Sequence, residues 1–192
     1  MPTETRSAKV SASDTFADLL ARSGAKERAS IEKHLAACDA ENDPAHGKLW
    51  RRIAGKLGGL SPLNVQTAGQ HAVMFFIPDG KYRMQVFALE DQRDGLLLVY
   101  LPDVLDQAVK AKILTKPNAA GEYAIPGAKR QTLTVLAMDA QNTPEPPVHV
   151  KHMLGWNRKA VRVSLPTTDA NSAQVAATEA LCALAAKKWL EV

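Results

Sequence analysis

Three stretches of helical period open the chain. Phe16, Leu19 and Leu20 follow the cap-forming run Ser13-Asp14-Thr15 at the spacing of one helix face, and Ser23-Gly24 supplies a stop. Ile31, Leu35 and Cys38 predict a second helix over Ala25 to Ala40. Asp43-Pro44 is a strong start for a third, because Asp caps and Pro fits the first helical turn without losing a needed donor. Leu49, Ile53 and Leu57 form its inward stripe, and Gly58-Gly59 with Ser61-Pro62 end it.

The period then falls to two. His71 to Ile77 is apolar and rich in strand formers, and Pro78-Asp79-Gly80 reads as a turn. Lys81 to Leu89 sets Tyr82, Met84 and Val86 against Lys81, Arg83 and Gln85, the pattern of a strand with one wet face. Asp91 to Gly95 reads as the next turn, with Asp91 and Asp94 in local hydrogen-bonding roles. Leu96 to Leu101 is unbroken and apolar, which predicts a strand buried on both faces. Asp103 caps a predicted helix to about Leu114, with Leu105, Ala108, Val109 and Ile113 inward. Strands are expected at Thr132 to Met138 and Lys159 to Leu165, separated by a proline-rich polar loop over Asp139 to Pro147. A terminal helix over Asn171 to Leu190 carries Val175, Thr178, Cys182, Ala185 and Trp189 on one stripe.

Hairpin connections of this length demand antiparallel pairing. The expected architecture is therefore α+β: an antiparallel five-stranded sheet with flanking helices, in the order α-β-β-β-α-β-β-α, preceded by an N-terminal helical segment. Residues 1–13 read as a disordered polar arm and 14–192 as a single domain, helical over 14–60 and built of the sheet and two helices over 61–192.

Composition changes this picture little. With 192 residues, 46% hydrophobic and 23% charged, the chain has globular proportions, and its net charge of +4 is spread along its length without a basic tail. No apolar run is long enough for a bilayer, and Met1 to Ser13 lacks the apolar stretch of a secretory signal. Cys38 and Cys182, each in a helical pattern, are expected to be reduced and buried, which points to the cytoplasm.

Candidate chemistry is sparse. His34 and Cys38 lie one turn apart and could face one metal ion, with His149 and His152 as further ligands, but no paired CxxC or HExxH spacing occurs. No serine elbow or phosphate loop is present, so no catalytic residue, metal or cofactor is assigned. Lys48, Arg51, Arg52 and Lys56 cluster near Trp50, and Arg158, Lys159 and Arg162 near Trp156; nucleic acid would use such cations with an aromatic for stacking. The most distinctive segment is Met153 to Arg158, where a Gly adjoins a Trp, an amide and a guanidinium. The candidate binding set is His149, His152, Trp156, Asn157, Arg158 and Arg162.

The element order, with His152, Trp156-Asn157, the strand Ala160-Val161-Arg162-Val163 and a closing helix, resembles the secretion-chaperone-like fold. That group includes bacterial type III secretion chaperones and the YjbR-like proteins, and the resemblance spans Asp43 to Val192. It implies a compact domain that binds other proteins. The leading expectation is a non-catalytic protein-binding or chaperone-like module with a protein or peptide partner. The end of the sheet formed by Lys159 to Leu165 is expected to meet a partner or a second copy, and a two-fold dimer there would use Trp156 as its anchor. A nucleic-acid-associated regulator is the second reading and a small-molecule enzyme the third.

Overall fold

In the computed structural model, residues 12–40, 44–60, 64–68, 72–79, 82–92, 95–139, 142, 159–167 and 172–190 are described. The three N-terminal helices end where the stops place them, though the first begins at Ala12 and so includes the expected cap Ser13-Asp14-Thr15: α1 (Ala12–Arg22), α2 (Ala25–Ala40) and α3 (Pro44–Gly59). Strands β1 (Asn64–Ala68), β2 (Ala72–Asp79), β3 (Tyr82–Asp91) and β4 (Leu96–Pro102) follow as a meander. Then come α4 (Leu105–Lys110), β5 (Glu122–Ala124), β6 (Thr132–Met138), β7 (Ala160–Pro166) and α5 (Ala173–Leu190). No described helix is long and apolar enough to cross a membrane.

The α+β class and antiparallel pairing hold, but the described sheet has seven strands rather than five, in the order β1-β2-β3-β4-β7-β6-β5. β1 and β5 escape a hydrophobic reading because one is mostly polar and the other is three residues long. The pairing order also places Lys159 to Leu165 away from either end. β7 lies between β4 and β6, so it is not an end of the sheet.

Alternation divides the side chains between two faces. Val73, Phe75, Leu97, Val99, Leu101, Val161 and Val163 enter the main core together with α1, α2, α3 and α5. Met74, Phe76, Ala88, Leu98, Tyr100, Met138 and Ala160 form a smaller cluster on the other face. β4 is buried on both sides, as its unbroken apolar run predicts. Within the helical layer Gly58 admits α1 closely, since a Cβ there would stand 2.9 Å from Leu19 Cβ. The Arg22 guanidinium donates to the Gly58 carbonyl at the same junction.

Two expectations fail for local reasons. Gln85 lies on the face opposite Val86, as the alternation predicts, yet it is only 2% exposed, and neither atom of its amide has a hydrogen-bond partner among the described residues. That face is covered where Gln85 stands opposite Phe76 of the smaller cluster, and a bulge at Val86, between the pairs Phe75–Phe87 and Phe76–Gln85, puts Val86 and Phe87 together in the main core. The fourth helix stops at Lys110 instead of reaching Leu114, because Lys112 adopts a left-handed φ of 57°. Asp103 does serve its start, accepting from the Leu105 N–H at 3.1 Å.

On α5, Val175, Thr178, Cys182 and Ala185 are buried along the predicted stripe, while the side chain of Trp189 lies outside the described residues. Arg52 of α3 grips Glu179 of α5 with two hydrogen bonds of 2.6 and 2.9 Å, tying the helices across the core. The Cys182 thiol is unpaired in any disulfide, and burial pushes its pKa up to about 12.

Candidate functional site

The C-terminal end of β3 carries two consecutive acids, and the pleat sends them to opposite faces. Leu89 points into the main core, so Asp91, two residues on, points the same way and meets the helical layer. His34 of α2 places Nε2 at 2.8 Å from Asp91 Oδ2, and His46 in the first turn of α3 places Nε2 at 2.6 Å from Oδ1. The side chains are 15%, 11% and 8% exposed for His34, His46 and Asp91. Burial opposes the Asp91 charge, but the hydrogen bonds and charges of the two imidazoles outweigh it and hold the carboxyl below its ordinary pKa. The indole of Trp50 backs the site, 5.6 Å from the His34 ring and edge-on to Phe16 of α1 at 6.0 Å.

This arrangement is a clamp between three elements. Each Nε2 is aimed at the carboxylate itself, and among the described residues no group of three or more His, Cys, Asp or Glu side chains is disposed to hold a metal ion. The clamp seats α2 and α3 on the sheet, and α2 also packs against β1. Val65 of β1 joins the rim of the main core, so the position of this terminal strand is set by the clamped helices as well as by β2.

On the opposite face Glu90 accepts from Gln92 Nε2 at 2.7 Å and from the Tyr100 hydroxyl at 2.9 Å. Burial first, then the Glu90 charge and hydrogen bond, raise the Tyr100 pKa, while Arg162 on the neighbouring strand pulls it down. Arg162 thus faces Tyr100 on one side and Leu136 on the other. Leu136, at 46% exposure, is the one large apolar side chain exposed among the described residues.

The two ends of the sheet are finished differently. The outer edge of β5 is engaged by its own chain. Thr115 N–H donates to Ala124 O at 3.0 Å, Asn118 N–H donates to Glu122 O at 2.8 Å, and Pro117 bridges Tyr123. Asn118 Oδ1 fixes the loop by accepting from the N–H groups of Ala120 and Glu122, each at 2.9 Å. β1 pairs with β2 over all five residues and has no second neighbour among the described strands.

Of the residues expected from sequence, Arg162 is placed in the interior of the sheet beside Tyr100. His149, His152, Trp156, Asn157 and Arg158 lie outside the described residues, as does the side chain of Cys38. His34 meets His46 and Asp91, a pairing the sequence reading missed. The signal was present, since period two carries Asp91 onto the same face as Leu89, where an acid needs partners. On α3, Arg51 bonds Asp39 at 2.9 and 3.3 Å, Arg52 bonds Glu179, and Trp50 is buried. The chain matches no family model, no curated protein and no solved structure.

Proposed function

We propose that the protein is a non-catalytic binding module that receives an extended segment of a protein partner by strand addition at β1. The observation that supports this reading is the contrast between the sheet's two terminal strands. β5 already has its outer edge bonded by residues 115–118. β1 ends the described sheet with Asn-Val-Gln-Thr-Ala, a strand lacking the charges and prolines by which soluble proteins discourage edge pairing. Strand addition takes its affinity from main-chain hydrogen bonds and its selectivity from alternate side chains.

The test is to pan a library of short random peptides against the full chain and measure binding of the enriched sequences to Gln66→Pro and Thr67→Pro variants. Neighbouring residues in an antiparallel strand direct their N–H groups to opposite sides. One proline therefore removes a ladder bond to β2 and lowers the melting temperature, while the other removes an outward donor. The variant that keeps its melting temperature is expected to lose peptide binding by tenfold or more. Enriched peptides that bind both proline variants as well as the parent would reject β1 as the docking edge.

A further inference from the structure

We infer that the surface around the C-terminal end of β5 docks on the phosphate backbone of double-stranded nucleic acid, without reading its bases. Residues 105–131 all belong to the described chain, and they carry Lys110, Lys112, Lys116, Lys129 and Arg130 against only Asp106 and Glu122. That is a local charge of +3 in a chain whose total is +4. All five cations are exposed, and none makes an ion pair or a side-chain hydrogen bond among the described residues. The arginines of the helical layer behave otherwise: Arg51 and Arg52 are each bonded to an acid, while Arg22 and Arg28 bond backbone carbonyls.

One peptide group gathers these cations. Ala124 O accepts from the Thr115 N–H at 3.0 Å, and the N–H of the next residue, Ile125, donates to Gln131 O at 3.4 Å. The carbonyl and N–H of a trans peptide point in opposite directions, so Thr115 and Gln131 stand on either side of it. At the spacing of neighbouring strands they are about 10 Å apart. Lys116 follows Thr115 and Arg130 precedes Gln131, so two segments bring cations to both sides of one strand end. Lys129 adjoins Arg130, and Lys112 lies three residues before Thr115, on the turn that leaves α4. A duplex presents about one phosphate charge per 1.7 Å of axis, so a span of about 10 Å meets about six of them.

Backbone conformation supplies an independent reason to read these side chains as functional. Lys112, at φ 57°, and Arg130, at φ 61°, are the only non-glycine residues of positive φ among the described residues. Glycine takes that region without steric cost, and the same stretch uses it at Gly121 and Gly127, with φ of 78° and 79°. At the two other left-handed positions the chain keeps a cation where glycine would be the more stable choice. Conformations of this kind concentrate where function uses them. The surroundings select the partner. Ile113, Tyr123 and Ile125 are partly buried against the main core, so this surface offers no apolar anchor to a bilayer or a protein and no open aromatic face to a base. Cations alone suit a regularly charged polyanion.

Fluorescence anisotropy of a labelled random-sequence DNA duplex, titrated with the full chain between about 50 and 200 mM salt, tests this. The parent chain is expected to bind in the micromolar range, with log affinity falling against log salt at a slope of about −4, as four or five phosphate contacts require. The double variant Lys112→Gly/Arg130→Gly is expected to melt no lower than the parent, to bind at least about tenfold more weakly, and to reduce the slope by about 2. If it fails to fold, Lys116→Gln/Lys129→Gln takes its place with the same loss of binding expected. Lys26→Gln/Lys33→Gln removes the same charge from exposed positions of α2 and is expected to bind as the parent does. A parent chain that ignores the duplex at low salt overturns the inference, as do patch variants that bind it undiminished. An equal loss in the α2 control overturns it too, since net charge alone would then be acting. Oligoglutamate or phosphatidylserine vesicles bound through the same residues, and more tightly than the duplex, would assign the surface to another partner and overturn it as well.

Discussion

The β1 end and the β5 end of the sheet solve the same problem by different physics. At the β5 end the chain folds back on itself within a few residues. Asn118 accepts two backbone N–H groups, and the loop it fixes bonds the strand's outer carbonyls. Everything needed is local. At the β1 end the strand is seated by helices that precede it, and those helices are held by the contacts of His34 and His46 with Asp91. Local closure bonds the outer side of β5, whereas at the other end β1 has no second neighbour among the described strands.

The clamp should be the more costly of the two to remove. Asp91→Ala takes away the acceptor that two largely buried imidazoles share, and leaving a buried donor unsatisfied costs about 1–3 kcal/mol. Urea unfolding at neutral pH measures this, and a loss confined to a few tenths would show that the clamp is ornamental. The same carboxylate sets a pH limb. Its folded-state pKa is lowered, so its contribution is complete above the unfolded value near 3.9 and is lost as pH falls through the lower folded value. The parent chain should therefore lose stability below about pH 4 more steeply than Asp91→Asn.

At the β5 end a smaller effect is expected. Asn118→Ala removes two accepted backbone bonds and the bond from Asn118 Nδ2 to Glu122, at an exposed site where such bonds are worth about 1 kcal/mol. Hydrogen exchange should quicken at Glu122 to Ala124 and leave β1 unchanged. If β1 responds too, the two ends are coupled and the comparison breaks. The smallest change expected is a gain. Lys112 holds a left-handed backbone after α4, so Lys112→Gly should stabilise by roughly 0.5–1 kcal/mol in thermal unfolding.

Much of this architecture was legible in the sequence wherever the signal is local. Ser23-Gly24, Pro44 and Gly58-Gly59 bound the first three helices because caps and stops act on neighbouring residues. The misses share a cause. β1 has one strongly apolar residue, Val65, and exists because β2 lies beside it. Gln85 looked solvated because alternation gives its face but not what covers that face, and the smaller apolar cluster around Phe76 is assembled from strands far apart in sequence. Asp91 looked like a turn residue because aspartate favours turns, and nothing within ten positions of it carries the histidines that claim it. Arg162 was expected at an end of the sheet because β7 is the last strand in sequence, whereas β7 inserts between β4 and β6, a long-range pairing that no local pattern reveals.

The pairing of β4 with β7 bears on how quickly the protein assembles. β1 through β4 follow one another by short connections, so each pairing closes a small loop and can form early. β7 reaches β4 from across the sequence, with Leu96 beside Pro166 and Pro102 beside Ala160. Its junction must close a long loop before any ladder bond repays the lost chain entropy, and pairings of that kind slow folding. The rate-limiting barrier is therefore expected to contain an ordered β1–β4 meander awaiting β7. Substitutions at Val163 would then slow folding in proportion to the stability they remove only if β7 has already docked at the summit, and would chiefly hasten unfolding if it docks afterwards.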